Sequence, residues 1–369
     1  MSAPAPTRKR VLYIAMHRTD RSPGQRFRFE QYIDYLGQNG FEGTFSPVIS
    51  AEGDKVFYSP GNYAGKLTIL LKAVLVRLRN LLNANQYDII FVQREALMIG
   101  TTFFERLFAK SKAKLVFDFD DSIWRNQGEA VGANANLLFL KNPDKTKDII
   151  AVADMVFAGN EYLADYARRF NQKVAIVPTT IDTVEYRPVP KPPHPGRVCV
   201  GWSGSFTTIE HFETALPALL QLKAKYGDRM YFKVIGDGNY RHPALDITGL
   251  PWKKDTEIHD LSEIDIGLMP LPDNEWAKGK CGLKGLQYMA LEIPTIMSPV
   301  GVNSSIVQDG VNGFLASGTA EWVEKISRLV DDESLRERMG RAGRQTVLDH
   351  YSVLSERDHY LQLFRELTA

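Results

Sequence analysis

The sequence predicts an α/β protein made of two domains, each built around a parallel sheet. Short apolar strands alternate with helices along the whole chain, which is typical of parallel sheets. Residues 187–196, RPVPKPPHPG, are rich in proline and indicate an extended linker between two alternating series. The length of 369 residues also exceeds the roughly 250–300 residues that one hydrophobic core normally serves.

The first series begins with a buried strand at 11–15, followed by a polar loop at 17–28 that contains glycine, and a helix at 29–36. A strand, a loop and a helix in this order form the start of a nucleotide-binding unit, although no G-x-G-x-x-G fingerprint is present. The other strands of this series are predicted at 88–93, 115–119, 155–158 and 174–177, and its other helices at 64–82, 103–109 and 162–169.

The second series repeats the pattern after the linker. Its strands are predicted at 198–202, 230–235, 264–269 and 313–315, and a helix that begins near Leu283 leads into a further buried strand. Three helices close the chain, the last from about Ser352 to Leu367. We therefore predict an N-terminal domain at 1–186, a linker at 187–197, a C-terminal domain at 198–347 and a final segment at 348–369.

The composition argues against several classes of protein. A net charge of +1 disfavours a polyelectrolyte partner, so no nucleic acid is expected. Cys199 and Cys281 have no metal-ligand spacing and indicate a reducing cytoplasm. No run of about 18 apolar residues is present, so no membrane span is predicted. Residues 1–10 are expected to form a disordered tail.

The stretch Lys280–Val300 contains a conflict between charge and local structure. Lys284 lies in the first turn of the predicted helix, and Lys280 lies four residues earlier. Helix N-termini carry partial positive charge and favour acids over cations. A bound anion, with phosphate first among the candidates, would resolve the conflict because free N–H groups of the first turn also attract it. The alternative is that both lysines are solvated at a surface turn.

The ends of the strands supply further candidates, since ligands of open parallel sheets bind beyond the carboxyl ends of the strands. In the second domain these ends carry the loops 203–208, 236–238 and 270–280. In the first domain the corresponding loops carry Arg26, Arg28, Arg94, Asp120 and Asp121. Arg26 and Arg28 precede a helix, where cations again suggest an anionic ligand; pairing with Asp20 or Glu30 is the alternative.

Helix 64–82 combines apolar residues at 67, 70, 71, 74, 75, 78, 81 and 82 with four basic residues and no acid. The basic residues are Lys66, Lys72, Arg77 and Arg79. Such a helix can lie on an anionic membrane surface. We favour the alternative, a helix whose apolar face packs on the core and whose basic face is solvated.

The aspartates of LVFDFDDSIW (115–124) allow two other interpretations. Asp118 resembles the nucleophile of a magnesium-dependent phosphatase of the haloacid dehalogenase type, with Gly236–Asp237–Gly238 as the later acidic motif. Against this, the nucleophile motif belongs on a first strand, and the linker separates the two pieces. Asp118 and Asp120 also form the D-x-D pattern of metal-dependent GT-A glycosyltransferases, but one of the two carboxylates should point into the sheet.

The second half of the chain resembles the retaining GT-B glycosyltransferases of family four. The similar segments are GWSGS (201–205), VIGDG (234–238), DIGLMPLPDNEWAKGKCGLKGLQYMALEIPTIMSPVGVN (265–303) and DGVNGFLA (309–316). The first half matches more loosely, through residues 93–100, 115–124 and 177–188. The resemblance implies two Rossmann-like domains whose parallel sheets face a central cleft, with the last helix crossing back to the N-terminal domain.

The resemblance also implies roles for residues. Ser203, Gly204 and Ser205 would let the backbone approach a diphosphate, and Lys280 and Lys284 would neutralise it during catalysis. Three further groups are implied or expected: Gln287 at the ribose with Gly238 near the base; Asp273, Glu275 and Trp276 near the donor sugar; and Asp120 at the reacting sugar, with Arg26, Arg28, Arg94 and Asp121 on the acceptor side.

The chain departs from the family pattern at three places. The family often has two glutamates separated by seven residues, and here those positions are Gly279 and Gln287. Many relatives have a histidine where this chain has Asp120. The Arg/Lys pair that often follows the first strand of the C-terminal domain is absent from GWSGSFTTIEH. Lys280 or Arg26 is therefore expected to supply the missing charge.

The implied function is transfer of a sugar, with retention, from a nucleoside-diphosphate sugar to a glycan or lipid-linked acceptor in cell-surface polysaccharide assembly. Fixed cations and a helix N-terminus can stabilise the leaving diphosphate, so neither a metal nor a cofactor is expected. We expect a cytoplasmic protein, and peripheral membrane contact through helix 64–82 stays open as the alternative to a helix packed on the core. A non-catalytic nucleotide-sugar or glycan-binding protein of the same fold is the alternative.

Overall fold

The computed structural model describes residues 8–125, 134–191, 194 and 196–369, and the chain divides into two compact units. Unit 1 combines Met1–Thr179 with Arg357–Ala369, and unit 2 is Thr180–Glu356. The first seven residues of the predicted tail lie outside the described residues. Its last two, Lys9 and Arg10, belong to the first strand, so they are not disordered.

Unit 1 contains a six-stranded parallel sheet with the strand order β2-β1-β3-β4-β5-β6. Its inner strands read as nearly continuous apolar runs because helices cover both faces of the sheet. The edge strand β2, FEGTFS, was not predicted because its pattern of glycine and polar residues lacks a clear period. The strands are β1 (Lys9–Ile14), β2 (Phe41–Ser46), β3 (Ile89–Gln93), β4 (Lys114–Phe119), β5 (Met155–Ala158) and β6 (Val174–Ile176).

The predicted helices 64–82, 103–109 and 162–169 occur in unit 1, whereas the helices Ala51–Phe57 and Lys145–Val152 were not predicted and the predicted helix 29–36 is broken. It becomes a 3-10 turn at Glu30–Tyr32 followed by a helix from Ile33, and the polar loop before it contains a short helix. The helices are α1 (Pro23–Arg26), α2 (Ile33–Gln38), α3 (Ala51–Phe57), α4 (Tyr63–Leu82), α5 (Phe103–Phe108), α6 (Lys145–Val152) and α7 (Glu161–Arg168).

Unit 2 contains a five-stranded parallel sheet with the strand order β13-β12-β11-β7-β8, and a separate antiparallel pair, β9 and β10. The inner strands of the five-stranded sheet are again buried on both faces. The strands are β7 (Val198–Ser203), β8 (Met230–Ile235), β9 (Arg241–His242), β10 (Ile247–Thr248), β11 (Ile266–Met269), β12 (Thr295–Met297) and β13 (Phe314–Leu315).

The helices of unit 2 and the C-terminal helix complete the fold. They are α8 (Ile209–Glu213), α9 (Leu216–Tyr226), α10 (Glu257–Ser262), α11 (Glu275–Lys278), α12 (Leu283–Ala290), α13 (Asn303–Ile306), α14 (Gly318–Asp331), α15 (Glu333–His350) and α16 (Val353–Thr368). From Arg357 onward α16 belongs to unit 1. There Tyr360 stacks on Tyr32 with ring centroids 4.3 Å apart, and Phe364 packs against Phe41.

The division between the units falls at Thr180, before the position that the proline-rich segment suggests. Tyr186 is fully buried within unit 2, where its hydroxyl donates to Glu257 over 2.7 Å. The segment that follows is also attached to unit 2, since Lys191 Nζ and His194 Nε2 contact Asp265 at 3.0 and 2.7 Å. Lys191 and His194 of the predicted linker are therefore held by unit 2; residues 192, 193 and 195 lie outside the described residues.

Both sheets have a topological switch point. The chain passes from β1 to β2 on one side and later places β3 on the other side of β1; β7, β8 and β11 repeat this arrangement. Ligands of such sheets bind beyond the carboxyl ends of the strands at the switch point. This rule predicts ligand sites at the loops after β1 and β3 in unit 1 and after β7 and β11 in unit 2.

Helix α4 faces the opposite way from the favoured prediction. Lys66 and Arg77, which were expected in solvent, are buried, whereas Leu71 and Leu75 are exposed. Arg77 donates to the carbonyl oxygens of Ala15, Ser46 and Ala96, at 2.9, 3.0 and 2.6 Å. These carbonyls lie at or just beyond the ends of three strands, and satisfying them fixes the inward face of the helix. No helix among the described residues is long and apolar enough to cross a membrane.

Candidate active site

The loop after β7 passes directly over Gly236, the residue that follows β8. Gly236 has φ of +125°, and a Cβ at this position would lie 1.5 Å from the carbonyl oxygen of Gly204. A Cβ on Gly204 would in turn lie 2.3 Å from the Trp202 ring and 2.8 Å from Cε of Lys284. Only glycine allows this approach. The backbone of Gly204, which carries no side chain, therefore lies beside the side chain of Lys284.

Helix α12 begins at the same place. Its N-cap is Gly282, in the left-handed conformation and without a side chain to cap the helix, and no acidic residue lies in its first turn. Lys284 Nζ lies 5.6 Å from the centroid of the Trp202 ring. The helix is tied to β7 because the Ser203 N–H donates to the Tyr288 hydroxyl over 2.6 Å. The structure thus brings together Ser203, Gly204 and Lys284, which the sequence predicted as one diphosphate site.

Ser205 belongs to the same loop, but its polar groups serve the local turn. Its backbone N–H donates to Thr208 Oγ1 over 3.2 Å, and its hydroxyl lies 2.7 Å from Thr207 Oγ1. These bonds start the 3-10 turn at Phe206–Thr208. Ser205 therefore holds the shape of the loop, and a direct contact with a diphosphate stays a prediction.

Lys280 and Trp276 lie together before α12. Lys280 Nζ is 5.2 Å from the centroid of the Trp276 ring. The indole Nε1 of Trp276 is buried and has no hydrogen-bond partner among the residues that the structure describes. A buried N–H without an acceptor is costly, so a ligand oxygen at this position would be favourable. This is the structural feature that most directly supports the predicted role of Trp276.

The two carboxylates predicted near the donor sugar are solvent-facing. Asp273 and Glu275 approach the same cation, Lys278, at 3.8 and 3.0 Å. The Glu275 contact raises the pKa of Lys278. Gly238 packs against Pro251, since a Cβ on Gly238 would lie 3.2 Å from that ring. These three positions keep their predicted roles without added support from the geometry.

Gln287 is held by hydrogen bonds inside unit 2, and its predicted contact with a ribose stays a prediction. Its side chain is buried, and its amide nitrogen donates to Glu257 over 3.0 Å and to the Tyr186 hydroxyl over 3.2 Å. Both amide hydrogens thus donate hydrogen bonds within unit 2, so only the side-chain oxygen of Gln287 is left to accept a hydrogen bond from a ribose hydroxyl. Glu257 is itself buried and accepts from Gln287 and Tyr186. A glutamate at 287, the residue common in the family, would here face a second carboxylate.

In unit 1, Arg94 joins the two aspartates that follow β4. Its guanidinium lies 2.8 Å from Asp120 and also pairs with Asp121. Burial by itself would lower the pKa of Arg94, but the two carboxylates raise it above its ordinary value. Arg94 has φ of +62°, a conformation that is strained for an arginine. Three predicted candidates, Arg94, Asp120 and Asp121, therefore form one ion-paired cluster.

The start of α1 closes against this cluster. A Cβ on Gly24 would lie 2.9 Å from Oδ2 of Asp120, and Gln93 Nε2 donates to the Gly24 carbonyl over 3.2 Å. The loop after β1 therefore reaches the ends of β3 and β4, as the switch-point rule predicts. Only a residue without a side chain fits at position 24 without moving Asp120.

Arg26 and Arg28 are not an exposed cationic pair. The Arg28 side chain is buried and forms an ion pair with Asp118, at 3.4 Å from Nε to Oδ2, and it also donates to the Val177 carbonyl. Arg28 is therefore a core residue, and its predicted role as an acceptor contact is wrong. Arg26 lies 3.6 Å from Asp20 with its side chain mostly buried, which is the alternative that the sequence left open.

The same ion pair argues against the phosphatase interpretation. Asp118 is buried, and burial raises its pKa despite the neighbouring Arg28, so it is neither accessible nor an activated nucleophile. Asp118 lies in unit 1, whereas Gly236–Asp237–Gly238 lies in unit 2. The expectation that one carboxylate of the D-x-D points into the sheet is confirmed for Asp118. Among the described residues, no group of three or more His, Cys, Asp or Glu side chains could hold a metal ion.

His17, in the loop after β1, is a candidate that the sequence analysis did not single out. Its ring stacks on Tyr58, and Nε2 lies 3.1 Å from the Tyr58 hydroxyl. Nδ1 is buried without a hydrogen-bond partner among the described residues. Burial and the nearby Arg21 lower its pKa to about 4, so the imidazole is neutral at neutral pH. Its position directly after the first strand was the signal available in the sequence.

Residues 194–346 match the family described as "Glycosyl transferases group 1". The matched segment contains the loop after β7, Gly236 and α12, which form the glycine and lysine cluster of unit 2. This match confirms the resemblance of the second half of the chain to group 1 glycosyltransferases.

Solved glycosyltransferase structures share the fold of nearly the whole chain. A glycosyltransferase from Rickettsia africae has a TM-score of 0.68 at 14% identity and covers 98% of both chains. Sucrose-phosphate synthase from Thermosynechococcus elongatus has a TM-score of 0.67 at 14% identity, over 98% of this chain and 99% of the other. Anabaena HepE, solved with UDP and glucose, has a TM-score of 0.68 at 12% identity, over 97% and 100%. The fold is thus GT-B, as predicted.

A curated relative matches a smaller part of the chain. Alpha-maltose-1-phosphate synthase of Mycobacterium tuberculosis is 31% identical over 96 residues. The match covers 24% of this chain and 25% of the length of that relative.

Proposed function

We propose that this protein is a retaining glycosyltransferase that moves a sugar from a nucleoside-diphosphate sugar to a glycan or lipid-linked acceptor. The observation that carries the proposal is the cluster in unit 2, where the uncapped N-terminus of α12, Lys284 and the bare backbone of Gly204 meet. A helix N-terminus with a lysine beside it favours a phosphate-bearing ligand. The family match over residues 194–346 supports glycosyl transfer as the reaction that such a ligand would undergo.

Charge explains how this cluster would act. When the bond between the sugar C1 and the diphosphate breaks, negative charge grows on the leaving phosphate. Lys284, Lys280 and the N–H groups of α12 would stabilise that charge without reorganising, which favours departure of the diphosphate. A metal ion is therefore not required in this proposal. Retention follows the family resemblance, with the donor phosphate taking the proton of the acceptor hydroxyl.

The remaining candidates divide between donor sugar and acceptor. Nε1 of Trp276 is a buried donor that a sugar hydroxyl could satisfy, and Asp273 and Glu275 would bond other hydroxyls. In unit 1, Asp120 and Asp121 would bind hydroxyls of the reacting sugar and acceptor, oriented by Arg94. His17 adds a neutral ring nitrogen at the same switch point. Anabaena HepE was solved with UDP-glucose, which makes UDP-glucose the first donor to test.

We place this reaction in cell-surface polysaccharide assembly, in the cytoplasm at the inner face of the plasma membrane. A lipid-linked acceptor lies in the membrane, so a peripheral protein would meet it there. The exposed leucines of α4 support such contact.

Binding and turnover together test the proposal. The thermal stability of the full chain is measured with UDP-, GDP- and dTDP-sugars, and hydrolysis or transfer of each stabilising donor is then followed. We expect one nucleotide class to raise the melting temperature and its sugar to be transferred. No shift with any nucleotide would refute the proposal. A shift without turnover would favour the alternative of a non-catalytic binding protein.

A lysine substitution tests the phosphate contact itself. Lys284→Ala is expected to weaken nucleoside diphosphate binding by about tenfold or more while nucleoside binding changes little, because a charge-assisted contact is lost. Lys278→Ala is the matched control, since Lys278 is half-exposed and paired with Glu275. Equal weakening of nucleoside and diphosphate would show that Lys284 does not contact phosphate.

A further inference from the structure

Helix α4 exposes a continuous row of leucines, which we call the leucine face. Leu67, Leu71 and Leu75 are 55%, 57% and 66% exposed, and Leu82 is 86% exposed. With Leu78 they repeat at intervals of three or four residues, so they lie along one side of the helix. At 1.5 Å per residue the row extends over roughly 22 Å. Rows of exposed leucines of this length mark interaction surfaces.

The leucine face cannot turn inward. Arg77 is fully buried on the opposite side and holds three backbone carbonyls, and its Nη1 also lies 3.1 Å from Asn80 Oδ1. Lys66, also buried, donates to Asn134 Oδ1 over 2.7 Å. Rotation of α4 would leave these charged groups and the carbonyls unsatisfied, at a cost larger than the gain from covering leucines. The exposure is therefore a fixed property of unit 1.

A neighbouring 3-10 turn extends the apolar surface. This turn, Ala135–Leu140, is joined to the start of α4, since Asn136 Nδ2 donates to the Tyr63 hydroxyl over 3.1 Å. It carries Phe139, which is 79% exposed. Together, α4 and this turn hold the majority of the large exposed apolar side chains that are described in the chain: Tyr63, Leu67, Leu71, Leu75, Leu78, Leu82, Leu138, Phe139 and Leu140.

The charged residues that α4 itself carries are all positive. Lys72 and Arg79 are exposed beside the leucines, and residues 61–87 contain no aspartate or glutamate. Lys112 lies near the far end of the helix, because its backbone N–H donates to Asn85 Oδ1 over 2.9 Å. An apolar row flanked by lysine and arginine without acids is complementary to a surface that is apolar inside and anionic outside.

We propose that the leucine face docks unit 1 on an anionic lipid bilayer, with the leucines in the acyl boundary and Lys72 and Arg79 at the headgroup phosphates. A second copy of the chain is the other possible occupant. Charge argues against it, because a two-fold contact would bring the cations of one copy against those of the other. Binding to a bilayer does not depend on the proposed transferase function. Only the advantage of this binding, that the protein meets a lipid-linked acceptor, rests on the proposed function.

Vesicle sedimentation of the full chain tests the docking. We expect binding to vesicles of phosphatidylcholine and phosphatidylglycerol, weaker binding to phosphatidylcholine alone, and loss of binding at high salt. Leu71→Gln/Leu75→Gln should weaken binding about tenfold or more, since two apolar anchors are removed. Lys72→Gln/Arg79→Gln should weaken binding about tenfold on anionic vesicles only.

Matched variants separate docking from general effects. Leu220→Gln/Leu354→Gln removes two leucines of similar exposure, 41% and 51%, from other parts of the chain and should leave vesicle binding unchanged. The thermal shift with UDP is measured for each variant, so a failure of the donor site is seen separately from a failure of docking. No binding of the unmodified chain to anionic vesicles would overturn the proposal. So would a dimer in solution that Leu71→Gln/Leu75→Gln dissociates without any effect on vesicles.

Discussion

Replacement of Gly236 by alanine tests whether the close approach of two loops builds the donor site. The new Cβ would lie 1.5 Å from the Gly204 carbonyl oxygen, which is roughly 2 Å short of a van der Waals contact. The residue would also keep φ near +125° or move away from it. Backbone strain of about 1–3 kcal/mol and overpacking of about 1–3 kcal/mol add to a loss of roughly 2–6 kcal/mol in the free energy of unfolding.

The loop after β7 must move to relieve this contact, and with it the backbone that faces Lys284. We expect UDP affinity to fall by about tenfold or more, because displacements of this size remove oriented contacts. The assay is titration calorimetry with UDP, together with urea unfolding of the same preparation.

Gly40→Ala is the matched control for Gly236→Ala. Gly40 also has a positive φ, +95°, but a Cβ there would meet nothing within 4 Å. It should lose only about 1–2 kcal/mol from backbone strain and keep its UDP affinity. The reasoning is refuted if both variants lose the same stability, or if Gly236→Ala binds UDP as tightly as the unmodified chain.

Three further predictions follow from buried groups. Arg28→Met should lower the free energy of unfolding in urea by about 3–5 kcal/mol, because the buried carboxylate of Asp118 loses its cation. Because the pKa of His17 is lowered to about 4 in the folded protein, the unfolded chain binds a proton at His17 at a higher pH than the folded chain does. The free energy of unfolding should therefore fall as pH falls from 6.5 towards 4. His17→Gln should remove this part of the pH dependence of unfolding. Gln287→Glu should cost about 1–3 kcal/mol at pH above 7, because the Glu257 oxygen loses a donor and meets a second carboxylate, and part of this stability should return at lower pH.

Each of these predictions has an outcome that contradicts it. For the ion pair, Arg168→Met is the control, since Arg168 and Glu161 are both exposed and solvent screens their attraction, so this variant should lose much less stability. An equal loss in both variants would contradict the argument from burial. For His17, the idea fails if the variant keeps the same slope of stability with pH. For Gln287→Glu, unchanged stability at every pH would show that the bond to Glu257 contributes nothing.

Much of the fold could be predicted from the sequence, because the inner strands of both sheets are short apolar runs with clear ends. Met155–Ala158 and Met230–Ile235 occur as predicted, and α12 begins at Leu283 as expected. The edge strand β2 and the small pair β9–β10 were missed. Few of their residues are buried, so they lack the hydrophobic periodicity from which strands are predicted.

The candidate site divides in the same way. Lys284 could be found from the sequence because a cation at a helix start breaks a local rule, and that conflict is visible without tertiary structure. Arg28 broke a similar rule, yet its partner is Asp118, ninety residues later in the chain. Nothing near Arg28 in the sequence distinguishes a buried ion pair from an anion site.

The sequence by itself determined the alternation of strands and helices, its division into two successive series, and the family that residues 194–346 resemble. These features depend on the local spacing of apolar residues and on short motifs. Tertiary structure decided which side of an element faces inward. Helix α4 has apolar residues on several sides, so its period leaves the orientation open, and the carbonyls at the ends of three strands select Arg77 for the interior. Gln287 is similar, because only the fold brings Glu257 and Tyr186 to its amide.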